Sequence, residues 1–394
     1  LIGNPWLSTS TLDARFRGHD SKLIMKILFT GGGTGGHIYP LVAVIRELRR
    51  MTLKESLELF YIGPKDELSA ILLRQEDVIV ENIPGGKIRR YFSFENFVDI
   101  FLKIPFDFIK SFYLLSKIKP AVILSKGGTG SLPVCYCARI FKIPVLIHES
   151  DVIPGLSNRI VSQWARKIFI SFPKTEFFDL NKVIVTGNPV RKELFDGDEN
   201  SAKDILGLVY DKPIMLFWGA SSGAEFINDF VLSVFNELLK NFEIIHVTGK
   251  KNLDSVTKES EVVINRDLEK YYHAIGFLDE EKLKAVYAVT DFAISRAGSG
   301  SIFELASAGI PSILVPLPTA SANHQAKNAY DYASTGAGIV LEQTNLTHNF
   351  FLDKINYLFS HPEVLENMKT QALRFSKPLA AKAVAREIIE YLTF

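Results

Sequence analysis

The chain has 394 residues, 47% hydrophobic and 23% charged, with a formal net charge of +1. That composition fills the cores of two ordinary globular domains, and so small a charge gives a dedicated nucleic-acid binder no electrostatic footing. Cys135 and Cys137 lie too close along the chain to pair within one helix or strand, and no His/Cys cluster completes a metal site, so both are expected as core thiols of a reducing compartment.

Residues 1–24 are polar and irregular, with no basic start and apolar run of the kind a signal peptide has, and are expected to be a disordered or non-native extension. No apolar stretch reaches the ~18–20 residues of a membrane-spanning helix. The first convincing strand is Lys26–Thr30. It runs into Gly31-Gly-Gly-Thr-Gly-Gly-His37, followed by a helix expected to begin near Tyr39. Glycines there let a ligand approach the backbone, and the helix end offers free N–H groups to an anion. His37 at the rim is a candidate base. Gly31, Gly33 and Gly36 also satisfy the dinucleotide fingerprint, but that pattern asks for no histidine after its last glycine.

Further strands are expected at Leu57–Ile62, Val78–Ile83, Ala121–Ser125, Val145–His148, Lys167–Ile170 and Val183–Thr186. Gly127, Gly128 and Gly130 follow Ser125-Lys126 as another close-approach loop. A polar connector after Gly187-Asn-Pro-Val-Arg191 suggests a boundary, giving units at 25–188 and 189–378. The second unit repeats the rhythm with strands at Ile214–Trp218, Glu243–Thr248, Tyr272–Gly276, Phe292–Ser295 and Ser312–Val315. Two of these lead into small-residue loops, 219–224 and 295–301. The final segment, 379–394, reads as helix and is assigned to pack back on the first unit. The fold expected is α/β, with two Rossmann-like parallel sheets facing one another across a cleft.

Several long motifs, in order, carry a resemblance covering everything from Met25 onward: GGGTGGHIYP at 31–40, SKGGTGSLP at 125–133, HESDVIPGLSNR at 148–159, GNPVR at 187–191, GASSGA at 219–224 and SRAGSGSIFELASAGIPSILVPLP at 295–318. With these the chain resembles the MurG family of lipid-linked glycosyltransferases of bacterial peptidoglycan synthesis. The resemblance implies the GT-B architecture. It also implies inverting, metal- and cofactor-independent transfer of N-acetylglucosamine from UDP-GlcNAc to the C4 hydroxyl of undecaprenyl-pyrophosphoryl-MurNAc-pentapeptide, at the cytoplasmic face of the plasma membrane. Other cell-wall synthesis proteins are implied as possible partners.

On the donor side it implies roles for Thr34, Gly35, Gly36, Arg191, Ser221, Phe277, Leu278, Ser299, Glu304, His324 and Gln325. Glu304 would accept from the ribose hydroxyls; the plainer reading is a first-turn glutamate complementing its helix dipole. Arg191 would reach the nucleotide phosphates, where it could equally be a surface ion pair. Phe277 would hold uracil or be core. His324 departs from the glutamine usual there. On the acceptor side stand Gly32, Gly33, Gly127, Gly128, Thr129, His148 and Glu149, with His37 as base and Asp151 as its possible helper. His148 and Glu149 are expected to face the cleft, although a satisfied structural histidine is an equal reading of His148. Thr129 and Asp151 also depart from the family's usual Tyr and Asn. Arg89, Arg90, Tyr91, Phe92, Phe94, Phe97 and Phe101, in a Phe-rich stretch bracketed by basic residues, form a candidate patch for an anionic membrane surface; the alternative is that these aromatics are core. Competing readings are a related transferase with another glycolipid acceptor, a UDP-sugar epimerase, a non-catalytic sugar-nucleotide- or lipid-binding subunit, and a dinucleotide oxidoreductase.

Overall fold

A computed structural model describes residues 24–33, 35–53, 56–86, 99–219 and 225–392. The first lobe is built on a seven-stranded sheet in the order β3-β2-β1-β4-β5-β6-β7, and all its pairings are parallel. Its strands are β1 (Met25–Thr30), β2 (Leu57–Pro64), β3 (Ile79–Ile83), β4 (Val122–Ser125), β5 (Val145–Glu149), β6 (Lys167–Ile170) and β7 (Val183–Val185). The second lobe carries a parallel sheet in the order β10-β9-β8-β11-β12-β13. It contains β8 (Ile214–Trp218), β9 (Glu243–Val247), β10 (Tyr272–Ile275), β11 (Phe292–Ser295), β12 (Ser312–Leu314) and β13 (Gly338–Val340).

In both sheets the chain winds outward one way, then returns to the middle and winds the other way. The reversal falls between β1 and β4 in the first sheet and between β8 and β11 in the second. The carboxyl ends of such central strands border a crevice, and the glycine-bearing stretches 31–33, 127–130 and 296–298 follow β1, β4 and β11. The topology therefore brings glycine motifs far apart in the chain to the two crevices; residues 220–224, after β8, lie outside the described residues.

Strand β13 is absent from the sequence expectation. Three residues at a sheet edge carry too little alternation to register as a strand. Two helix starts are corrected as well. Helix α1 (Gly35–Met51) begins at Gly35 rather than near Tyr39, so His37 lies in its first turn, where backbone N–H groups have no intrahelical partner. The helix after β11 begins at Ser299, inside the small-residue loop expected over 295–301.

Helices α2 (Glu67–Gln75), α3 (Ile104–Ile118), α4 (Ser131–Ile140) and α5 (Leu156–Val161) complete the first lobe. One face of its sheet buries Ile27, Phe29 and Leu124 against α1; the other buries Leu28, Ile123 and Ile147 against α3 to α5. Cys135 and Cys137 of α4 are free and buried, and burial pushes their thiols up to about 12 and about 11. The second lobe adds α6 (Glu199–Leu206), α7 (Glu225–Leu238), α8 (Leu253–Val263), α9 (Glu280–Val289), α10 (Ser299–Ser307), α11 (His324–Ala333), α12 (His348–Ser360) and α13 (Pro362–Phe375).

The chain then crosses back, and α14 (Ala380–Glu390) packs on the first lobe. Ala381, Val384, Ala385, Ile388 and Ile389 join the core of β1 and α1. The outward crossing near residue 187 and the return near 377 touch: Gly187 has φ +84°, and a Cβ there would overlap the Lys377 side chain. An aromatic cluster seals this junction, with Phe172 of the first lobe edge-on to Phe303 at 5.2 Å between ring centres and Phe375 4.9 Å from Phe303.

Candidate active site

His37 is half-buried between the loops that follow β1 and β4. A Cβ on Gly32 would stand 2.9 Å from His37 Cδ2. One on Gly128 would stand 2.9 Å from the Gly32 backbone and 3.1 Å from His37 Cε1, at a φ of +82°. Glycine is required at both because the loops close directly on the imidazole. The ring's Nδ1 lies 3.3 Å from the carbonyl oxygen of Lys126. A carbonyl can only accept, so Nδ1 carries the proton and Nε2 presents its lone pair. Burial, reinforced by the nearby Lys126 ammonium, lowers the His37 pKa to about 4. The imidazole is thus neutral and ready to accept a proton across the physiological range.

Beneath it lies a closed polar network. The Lys126 ammonium, 3% exposed, donates to His148 Nδ1 at 2.8 Å and to Ser150 Oγ. Burial brings its pKa down to about 8. His148 therefore accepts at Nδ1 and donates from Nε2 to the Gly187 carbonyl at 3.1 Å; burial holds it neutral. Ser150 donates to Asn188 Oδ1 at 3.0 Å. Glu149 accepts from the backbone N–H of Asp151 and of Gly155, both at 3.0 Å, and from Asn158 Nδ2 at 2.9 Å; burial raises its pKa. Both are buried with their polar atoms turned inward: Glu149, expected at the cleft face, is floor rather than lining, and His148 fits the structural reading rather than the cleft-facing one. Asp151, half-buried, accepts at 2.7 Å from Asn328 Nδ2 of α11, and the Val152 N–H donates to Asn328 Oδ1 at 2.9 Å. This residue joins the lobes. Thr129 is half-buried beside Gly128, Gly127 packs against Asn158, Gly33 packs against Asp66, and Gly35 and Gly36 open α1.

Across the cleft the chemistry is ionic. Arg191, 4% exposed, donates to Glu280 Oε2 at 3.1 Å and approaches Glu304 Oε1 at 3.5 Å, while its guanidinium stacks 4.1 Å over the ring of Tyr39. Its Nε has no partner. The other oxygen of Glu304 accepts from Tyr287 at 2.8 Å. Glu280 is also held by both terminal nitrogens of Arg46 on α1, at 2.7 and 3.2 Å, and Arg46 further binds Glu76 and Glu193. Ser299, buried, opens α10 with its free N–H groups toward the crevice beside β11. Phe277 is half-buried under the Lys250 ammonium, 4.5 Å from its ring centre, and Leu278 belongs to the core.

At the start of α11, His324 Nδ1 donates to the Ser321 carbonyl at 2.7 Å, and Gln325 Oε1 accepts from the Leu317 N–H at 3.0 Å. Ala322 and Asn323 just before them both have positive φ, of 53° and 56°. Such paired left-handed turns in non-glycine residues fix these two side chains at some cost in strain.

Tyr39, Arg46, Glu280, Tyr287 and Asn328 belong to this arrangement, and the sequence reading assigned none of them a role. Tyr39 alone carried a signal, standing two residues beyond His37 within the first motif. Thr34, Ser221, Arg89, Arg90, Tyr91, Phe92, Phe94 and Phe97 lie outside the described residues. Phe101 is described and 61% exposed. It adjoins an apolar surface on α3 and α4 formed by Phe106, Ile109, Phe112, Tyr113, Tyr136 and Ile140, all exposed. Among the described residues no helix is long and apolar enough to cross a membrane, and no group of His, Cys, Asp and Glu is placed to hold a metal ion.

Comparison with known proteins gives the family of the chain. Residues 27–170 match the glycosyltransferase family 28 N-terminal domain and residues 214–384 the corresponding C-terminal domain. The chain is 37% identical over 352 residues to the UDP-N-acetylglucosamine–N-acetylmuramyl-(pentapeptide) pyrophosphoryl-undecaprenol N-acetylglucosamine transferase of Clostridium tetani, covering 89% of this chain and 94% of that protein. A Bacillus anthracis protein of the same name with the number 2 appended is 36% identical over 367 residues, covering 93% of this chain and 99% of that protein. Among solved structures, MurG of Acinetobacter baumannii superposes with a TM-score of 0.70 at 24% identity, covering 93% of this chain and 99% of that one. The UDP-GlcNAc 2-epimerase of Neisseria meningitidis superposes with 0.68 at 16% identity, covering 93% and 100%. At these identities the structural likenesses speak for the fold alone.

Proposed function

The chain belongs to glycosyltransferase family 28, and from that premise we propose that it moves N-acetylglucosamine from UDP-GlcNAc to the C4 hydroxyl of undecaprenyl-pyrophosphoryl-MurNAc-pentapeptide in peptidoglycan synthesis. Its architecture is GT-B, with the first lobe, 25–188 plus the returning helix, on the acceptor side and 189–378 on the donor side. The observation that carries the site assignment is the meeting of glycine loops at the reversal points of both sheets, with a neutral histidine on one side and a buried Arg–Glu pair on the other.

In this reading His37 Nε2 takes the proton of the acceptor C4 hydroxyl as its oxygen attacks the anomeric carbon. The bond to UDP breaks on the opposite face, so the configuration inverts. The histidine is a weak base in the free protein. Transfer is therefore favourable only as the new C–O bond forms and the hydroxyl acidifies. Glu304 Oε1 receives the ribose hydroxyls, since Oε2 is committed to Tyr287 and Arg191 approaches Oε1 only at 3.5 Å. Arg191, with its free Nε, and the first turn of α10 stabilise the charge of the departing diphosphate. Gln325 and His324 contact the donor sugar. The exposed aromatics of α3, with Phe101 and the basic side chains around them, rest on an anionic membrane surface at the cytoplasmic face, where a lipid-linked acceptor is presented.

Labelled GlcNAc supplied as UDP-GlcNAc with a short-chain lipid I analogue tests this directly. Transfer supports the reading. Binding of UDP-GlcNAc with no transfer, or its conversion to the 2-epimer, would replace it with the epimerase chemistry of the structural neighbours.

A further inference from the structure

The carboxyl edge of the first sheet continues past the loops assigned above. Adjacent strands are about 4.8 Å apart, and β1, β4, β5 and β6 are neighbours in that order. The loop after β6 therefore lies about 14 Å along the edge from the loop that bears His37. Between it and α11 of the second lobe is an open cleft of about 310 Å³, lined by Val152, Lys174, Glu176, Phe177, Lys327 and Tyr330 among others. Both lobes build it, and its first wall residue, Val152, follows Asp151, which acts electrostatically on His37.

We propose that this cleft receives the peptide of the muramoyl acceptor and holds its carboxylate end against Lys327. The inference rests on the acceptor reading given above. In a muramoyl sugar the lactyl ether occupies C3, beside the reacting C4 hydroxyl, whereas the diphosphate is on C1, at the far side of the ring. The peptide, attached through its amino end, leaves the sugar next to His37 and finishes in a free carboxylate. Five extended residues reach at most about 17 Å, enough to span from the β1 loop to the β6 loop.

The walls suit a peptide. Phe177 and Tyr330 are 55% and 52% exposed and give it apolar faces. Phe177 is held outward at a φ of +79°, with the Arg159 guanidinium 4.7 Å from its ring centre. The charges then set the polarity. Lys174 is committed to Asp331 at 2.7 Å, and Glu176 would repel a carboxylate on its own wall, so the anionic end falls to the exposed Lys327. The opposite direction along the sheet edge, toward β3 and the start of α3, is left for the lipid.

The test compares two short-chain lipid I analogues, one with the pentapeptide and one with the bare lactyl group. Wild type is expected to show a lower KM for the first. Lys327→Glu should raise that KM about three- to tenfold and leave the KM of the bare acceptor and of UDP-GlcNAc where they were. Lys327→Arg should restore it. Equal KM values for the two acceptors in wild type would overturn the proposal, as would a Lys327→Glu effect of the same size on both. Transfer to neither acceptor, with UDP-GlcNAc still bound, would instead remove the function on which it rests.

Discussion

The two sides of the cleft solve opposite electrostatic problems. The first lobe surrounds His37 with glycine backbone and a carbonyl, and burial, reinforced by the ammonium beneath, keeps the ring neutral. The second lobe opposes it with full charges, Arg191 between Glu280 and Glu304, tied through Glu280 to Arg46 on the helix that carries His37. A base must be free of its proton, so burial serves it. A site for a diphosphate and a ribose needs permanent charge held in register, so buried charges are paired with one another. The lesson is that burial acts as a switch on one side and as an amplifier on the other.

The sharpest way to break this contrast is His37→Ala. Turnover of the lipid I analogue should fall about 10²–10⁴-fold, with the KM for UDP-GlcNAc little changed. A loss of less than tenfold would place the base elsewhere, and Asp151 is next in line although Asn328 holds its Oδ1. On the ionic side, Glu304→Gln should raise the KM for UDP-GlcNAc about 10–100-fold, the range of a hydrogen bond to a charged group. A changed kcat at constant KM would contradict a binding role.

The neutral side also predicts how stability varies with pH. His37 titrates at about 4 and His246, buried in the second sheet, at about 3, against 6.5 in the unfolded chain. Between these values the unfolded chain binds more protons, so stability is full above pH 6.5 and declines as the pH falls toward 4. Urea midpoints at pH 7.5 and 5.0 check the sign, and His37→Ala should shallow the dependence by up to one proton. The smallest effect is expected from Arg46 and Glu280, both partly exposed. A double-mutant cycle in thermal or urea unfolding should give a coupling of about 0.5–1 kcal/mol, and zero coupling would make the bridge ornamental.

Most of the scaffold could be read ahead of the structure because parallel sheets write themselves as apolar runs ending in glycine or polar residues. The motif histidine beside a helix start was legible for the same reason. What escaped was long-range pairing. Arg46 and Glu280 are 234 residues apart, and each looks like an ordinary solvated charge on a helix. Lys126 borders a close-approach glycine loop, but its ammonium points inward to His148 and Ser150. Its loop gives no local cue that buried acceptors lie at the end of the neighbouring strand, β5. Asp151 likewise read as a helper of the base, and the tie from its Oδ1 to Asn328 of the opposing lobe, 177 residues away, had no local cue.

The contact between Gly187 and Lys377 has a mechanical consequence. Two lobes joined by a single strand can swivel, twist and slide; two crossings clasped together at one point leave chiefly a rocking motion about that point. Any opening about that pivot would have to part the Arg46–Glu280 and Asp151–Asn328 bridges, much as opening a pair of tongs strains whatever ties its arms together. Bulk at the pivot, as in Gly187→Val, would act as a wedge there, and its effect would grow with distance from the pivot, being greatest at the far rim of the cleft.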